Sequence, residues 1–328
     1  MHTQRRHALR AGVLAAGLAL GLNALAQTAP YPDRAVKLMH GFAAGGNADA
    51  VARILAVELG KGLGQPVVVE PKPGAGGTIA SGAVAAAKAD GLTLLLATGG
   101  HAIAGALYDK LPYDTVKSFQ PVSAITAFPF LVITPAHGKH SSLQELLKTA
   151  RARPGEITYG SAGQGTGQHL MGALMAHQAG VNMTHVAYRG ESAAMTAVLS
   201  GEVDFVVVAP TTAVQHIKSG KLKALAASGA SRWPGLPDVP TVAEQGVPRF
   251  EVRSWTAVLA PAGTPKPIVD RLQALIRQVL ADEAVRTRLE EATGGSVQAS
   301  TPAELEATLN NDLRRWTQLV KDAQIRKE

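Results

Sequence analysis

The 328-residue chain has no cysteine, which excludes disulfides, thiolate nucleophiles, cysteine-bound metals and a lipidated cysteine. Aromatic residues are only 4 % of the chain and never interleave with a Lys/Arg cluster, which argues against a nucleic-acid surface. No apolar run reaches the roughly 20 residues that a membrane span requires. The one that stands out, "AGVLAAGLALGL", is short and follows Arg5, Arg6 and Arg10. With "ALA" at 24–26 just beyond it, this order of basic, apolar and small residues predicts an export signal cleaved after Ala26. "QRRHALR" also resembles a twin-arginine signal, although Ala8 stands where a bulky apolar residue is usual, so both export routes stay open. Removing the segment lowers the formal net charge from +7 to +4, which suits solubility and also the steering of anions.

Signatures of catalysis are missing too. "YGSAG" places Tyr159 where a nucleophile elbow needs its first glycine. "GAGGTI" has Ile79 where the dinucleotide fingerprint needs a small residue, and "GQGTGQH" lacks the Lys-Ser/Thr end of a P-loop. None of the ten histidines pairs at a zinc-like spacing within one segment. The expectation is therefore a non-enzyme without cofactor or metal.

What is present is alternation. "AVKLMHGF", "PVVVEP" and "LTLLLATGG" read as strands, and Val51, Ile54, Leu55 and Leu59 form one face of an intervening helix. Strand and helix keep alternating through "LKALAASG", which predicts an α/β fold with parallel strands joined by crossovers. The proline-rich stretch from 231 to 248 reads as a surface loop. "FEVRSWTAVLAP" then starts a new section that ends in two long helical stretches, the second opened by a Thr301/Glu304 capping box. These late helices have no strands of their own and are expected to pack back onto the first sheet. Residues 27–126 with 250–328 would form one lobe and 127–249 the other, with a cleft between them.

Ligands of open α/β sheets bind beyond the carboxyl ends of the strands. Four such ends are glycine-rich and lead into helices: "FAAGGNAD", "EPKPGAGGT", "ATGGHA" and "YGSAGQGTGQH". A helix start presents unpaired N–H groups and partial positive charge, so it suits an anion. Apart from Lys72 these loops hold no basic residue, as expected if backbone donors carry the binding. The competing reading is structural: Asn47 or Asp49 caps its own helix.

"YPDRAVKLMHGFAAGGNADAVARILA", "LGQPVVVEPKPGAGGTIAS", "ADGLTLLLATGGHAI", "ITYGSAGQGTGQHL", "HVAYRG", "LPDVPTVAEQG" and "APAGTP", in this order, resemble the Bug-type extracytoplasmic solute receptors of tripartite tricarboxylate transporters. The resemblance is collinear over nearly all of the chain after the signal. It implies a two-lobed periplasmic binding protein of type II-like fold, each lobe a mixed, mainly parallel sheet flanked by helices. Its ligand would be a small organic acid, di- or tricarboxylate or aromatic. Its partners would be membrane permease subunits, and it would act as a monomer. By position it implies ligand contacts from Phe42, Gly46, Asn47 and Asp49 on one lobe and from Ser161, Gly163, Thr166 and His169 on the other. Thr98 and His101 match the end of the third strand. Two departures stand out: Ala43 and Ala44 replace a pair of prolines, and Val208 and Ala209 replace an Asp-Asn pair. Loss of that acid, with Val208 facing the cleft, implies that a ligand amino group is disfavoured. A ligand-sensing input to a signalling kinase, or a periplasmic hydrolase on the same fold, remain the alternatives.

Overall fold

The computed structural model describes residues 31–325 and 327, so the export signal read at 1–26 lies outside the described residues. β1 (Val36–His40) leads into α1 (Asn47–Leu63), whose Val51, Leu55 and Leu59 stripe is buried as the helical spacing predicts. Burying each such side chain contributes about 1.5–3 kcal/mol. β2 (Val67–Pro71), α2 (Thr78–Ala85), β3 (Thr93–Thr98) and α3 (Gly100–Leu107) continue the alternation. β1 pairs in parallel with both β2 and β3. β4 (Phe119–Pro129) and β10 (Arg253–Pro261) complete this sheet as antiparallel partners, with β10 seated between β3 and β4. A two-residue edge strand, β11 (Ser296–Val297), gives the order β11–β4–β10–β3–β1–β2.

The second sheet has the order β7–β6–β8–β5–β9. It comprises β5 (Leu131–Pro135), β6 (Thr158–Ser161), β7 (Thr184–Ala187), β8 (Phe205–Val208) and β9 (Leu222–Ala227). β6 runs parallel to β7 and β8, whereas β5 is antiparallel to β8 and β9. Helices α4 (Leu143–Ala152), α5 (Gly167–Ala179), α6 (Glu191–Ser200) and α7 (Pro210–Lys218) connect these strands. The result is two mixed sheets flanked by helices, a two-lobed α/β fold.

The C-terminal helices depart from expectation in two ways. The first long helical stretch is two helices, α8 (Lys266–Ala281) and α9 (Glu283–Thr293), because Asp282 adopts an extended backbone and caps the second by accepting from Val285 N–H. α10 (Pro302–Asp322) does carry the Thr301/Glu304 capping box. It does not pack on the first sheet alone. Leu305 and Leu309 join the core around Leu95, Ala97 and Leu259, while Trp316, Leu319 and Val320 join the core under the second sheet. One helix thus spans both cores, because its apolar stripe is longer than one sheet can cover.

The chain crosses between the sheets at two adjacent places. Phe130 alone separates β4 from β5, and residues 228–252 return the chain from β9 to β10. Ser228, fully buried, fastens these crossings together. Its hydroxyl accepts from Phe130 N–H at 2.8 Å and donates to Val252 O at 2.5 Å. Its own N–H donates to Phe130 O at 2.9 Å, and its carbonyl accepts from Val252 N–H at 2.8 Å. Ser228→Ala leaves a buried N–H and a buried C=O unpaired, which should destabilise the fold by about 2 kcal/mol. Urea unfolding of the variant checks this, and an unchanged midpoint would show that the hydroxyl is dispensable.

Candidate functional site

The approach of the loop after β1 to the loop before α2 sets the floor of the site. A Cβ on Gly41 would lie 2.2 Å from Gly77 Cα, so only glycine permits this crossing. α1 then starts from Gly46, in extended conformation and with no side chain capping it. Gly46, Asn47 and Ala48 line a cavity of about 510 Å³, within the range of small-molecule sites.

Neither Asn47 nor Asp49 caps the helix. The Asn47 Nδ2 is buried without a hydrogen-bond partner among the described residues, on a side chain that lines the cavity. Asp49 turns inward. Its Oδ2 accepts from Gly45 N–H at 2.9 Å and from Arg53 Nε at 2.8 Å, and its Oδ1 lies 3.2 Å from His40 Nε2. Burial favours the neutral carboxyl, but the hydrogen bonds from Arg53, Gly45 and His40 outweigh it and hold Asp49 below the usual carboxylate range. Burial pushes His40 down from its ordinary value, against the opposing pull of Asp49. Asp49 therefore holds the loop ahead of α1 in place and leaves the first amides of the helix open.

Other helix starts reach the same cavity. α5 brings its own cap: Thr166 accepts from His169 N–H at 3.4 Å and donates to Gly163 O at 2.7 Å. α7 starts at Ala209 with no cap of its own, but Glu191 supplies one. Glu191 Oε1 accepts from Ala209 N–H at 3.2 Å and from Gln168 Nε2 at 2.6 Å, and Oε2 accepts from the Thr212 hydroxyl. α6, which begins with Glu191, has no side-chain cap at Gly190. Arg189, Gly190, Glu191, Ser192, Thr211, Thr212 and Ser254 line the cavity, with Phe42, Phe128 and Phe130 as its aromatic wall. Arg189 is exposed and has neither an ion pair nor a hydrogen bond among the described residues. A cavity with two open helix starts, an unpaired amide donor and a guanidinium can hold an anion.

Of the residues picked from sequence, Phe42, Gly46, Asn47, Thr98 and Thr166 line this cavity. Asp49, His101, Ser161, Gly163, His169 and Val208 do not. His101 is buried behind β3, with Nδ1 3.1 Å from Ser81 Oγ and Nε2 2.8 Å from Thr115 O. It stacks on Tyr113 beside a void of about 10 Å³, roughly one water. Ser161, fully buried, lies 2.7 Å from His185 Nε2 and donates to Gly163 O at 3.0 Å. His169 stacks on His185 at 3.9 Å and accepts from Gly165 N–H at 3.3 Å. Val208 is fully buried in the second sheet's core, and its neighbour Ala209 reaches the cavity instead. Glu191 brings a carboxylate to the head of α7. Arg189 and Glu191 escaped the sequence reading although "YRGES" follows a strand just as the four glycine-rich loops do; it holds one glycine where they hold two or more.

Two mixed sheets with a cavity at their helix starts define a two-lobed periplasmic binding protein, and the comparisons identify which kind. The sequence profile described as tripartite tricarboxylate transporter family receptor (TctC) matches residues 51–325. The chain belongs to this family of Bug-type solute-binding receptors. Protein BugT of Bordetella pertussis is 34 % identical over 304 residues, covering 92 % of this chain and 93 % of BugT. Among solved structures, R. palustris Rpa4515 with adipate superposes with a TM-score of 0.84 at 32 % identity, covering 91 % of this chain and 100 % of that one. MatC (Rpa3494) from Rhodopseudomonas palustris with bound malate gives 0.81 at 36 % identity, covering 88 % and 100 %.

The buried imidazoles set a pH dependence. Burial pushes His101 and His185 down to about 4, and burial with the adjacent His185 pushes His169 to about 3. The unfolded chain binds protons near pH 6.5 that the folded chain refuses. Stability is therefore complete above pH 6.5 and drains as pH falls toward 4, by about 2 kcal/mol per histidine at pH 5. Urea unfolding at pH 7.5 and 5 should differ by several kcal/mol; equal stabilities would mean that these rings are not held neutral.

Proposed function

We propose that this receptor captures a small organic carboxylate in the periplasm, as a monomer, and delivers it to the membrane subunits of a tripartite tricarboxylate transporter. The observation that carries the reading is the uncapped start of α1, with the unpaired Asn47 Nδ2 beside it. A carboxylate placed there would accept from the amides of Gly46 to Ala48 and from Asn47, with Arg189 able to reach the same anion. Thr98 and Thr166 complete the proposed contacts, and Phe42 would cover the body of the ligand. The reading is supported by relatives whose structures hold adipate and malate, and by a family description that names a transporter.

Closure would move the first sheet against the second, with the Ser228-tied crossings and α10, buried in both cores, as the pivot. A ligand favours the closed form only through contacts it gains there. Contacts from both α1 and α6 meet that condition, because the two helices belong to different sheets. The Ser161–His185 pairing does not favour hydrolysis, since Ser161 is fully buried and its hydroxyl is occupied by Gly163.

Asn47→Ala removes the side-chain donor while leaving a better helix former at the first position of α1. Affinity for a carboxylate ligand should fall about tenfold, the effect of losing one hydrogen bond of about 1.4 kcal/mol to a charged group. Isothermal titration checks this, with the melting temperature of the free protein expected to hold. Unchanged affinity would remove Asn47 from the site.

A further inference from the structure

We propose that Glu191 is a resident carboxylate that fills one anion position of the cleft, so that the ligand is an acid with a single carboxylate and an apolar remainder. The inference rests on the carboxylate reading above and narrows it. Among the described residues only two charged side chains line the cavity, Arg189 and Glu191. They differ in how they are held. Arg189 is exposed and has no partner among the described residues, whereas Glu191 is fixed from α5 by Gln168 and from the head of α7 by Ala209 N–H and Thr212.

A carboxylate oxygen accepts about two hydrogen bonds. Glu191 Oε1 already has both, from Gln168 and Ala209, and Oε2 has one from Thr212. Two donors at the head of α7, the Ala209 N–H and the Thr212 hydroxyl, are therefore taken by the protein itself. A second ligand carboxylate beside them would meet a fixed negative charge. An ammonium group would be drawn by that charge but would find one free acceptor position, on Oε2, for its three donors. The charge at the α1 end is the opposite. The amides of Gly46 to Ala48 and Asn47 Nδ2 are donors without a counterpart among the described residues. Phe42, Phe128, Phe130, Ala43 and Ala44 also line the cavity, a surface suited to hydrocarbon.

Matched acids test this by titration calorimetry on the mature protein and on Glu191→Gln. The pairs are butanoate and succinate, hexanoate and adipate, and benzoate and terephthalate, with 6-aminohexanoate as the cationic counterpart. The wild type should bind the monoacid of its preferred pair at least tenfold more tightly than the diacid. Glu191→Gln, which keeps the size and removes the charge, should shrink that ratio by about tenfold. A diacid bound as tightly as its monoacid by the wild type overturns the proposal, as does 6-aminohexanoate binding best; neither result depends on the variant folding. An unchanged ratio in a variant with wild-type melting temperature also overturns it. If no acid binds either protein, the carboxylate reading itself fails and takes this inference with it.

Discussion

A backbone N–H that faces a cleft must find an acceptor, and the helices that start at this cleft divide by how they meet that demand. α5 satisfies its start with Thr166, and α7 borrows the carboxylate of Glu191. α1 and α6 begin at glycines without a side-chain cap. Water can satisfy those donors in the empty receptor, and a carboxylate can do so with a full charge. In the proposed function, the unmet donors at the starts of α1 and α6 are what would give the cavity its preference for an anion.

The rest of the molecule holds those helix starts in position. Asp49, fastened by Gly45, Arg53 and His40, fixes the turn that aims α1 at the cavity. The buried stack of His169 on His185 supports the glycine-rich loop ahead of α5 from below. At larger scale, Ser228 ties the two inter-sheet crossings into one place, and α10 buries its two halves in different cores. Trp255 Nε1 adds a 2.7 Å hydrogen bond from β10 to Asp312 on that helix. These ties are where the proposed closure would pivot.

The alternation of strands and helices was readable because hydrophobic period reports burial directly, as with Val51, Leu55 and Leu59 on α1. The glycine-rich turns were readable because close backbone approach, as of Gly41 to Gly77, leaves no other residue possible. Which way a polar side chain turns is not coded by spacing. Asp49 sits in the first turn of α1 near a cavity-lining Asn47, yet its partners are His40 at the end of β1 and Arg53 one turn further along the helix. His101, Ser161 and His169 flank cavity-lining turns but pair with groups from elements far away in sequence, which no local pattern announces. Glu191 was hidden for the same reason: its role depends on Gln168 and Ala209, which are near it only after folding.

The most direct test of the central claim follows the backbone amides themselves. In nitrogen–proton correlation spectra of the labelled protein, titration with its tightest-binding acid should shift the amides of Gly46, Asn47 and Ala48 more than any others. The methyl ester of the same acid should leave them where they were. Equal shifts with acid and ester, or acid-induced shifts confined to amides away from the start of α1, would contradict the account.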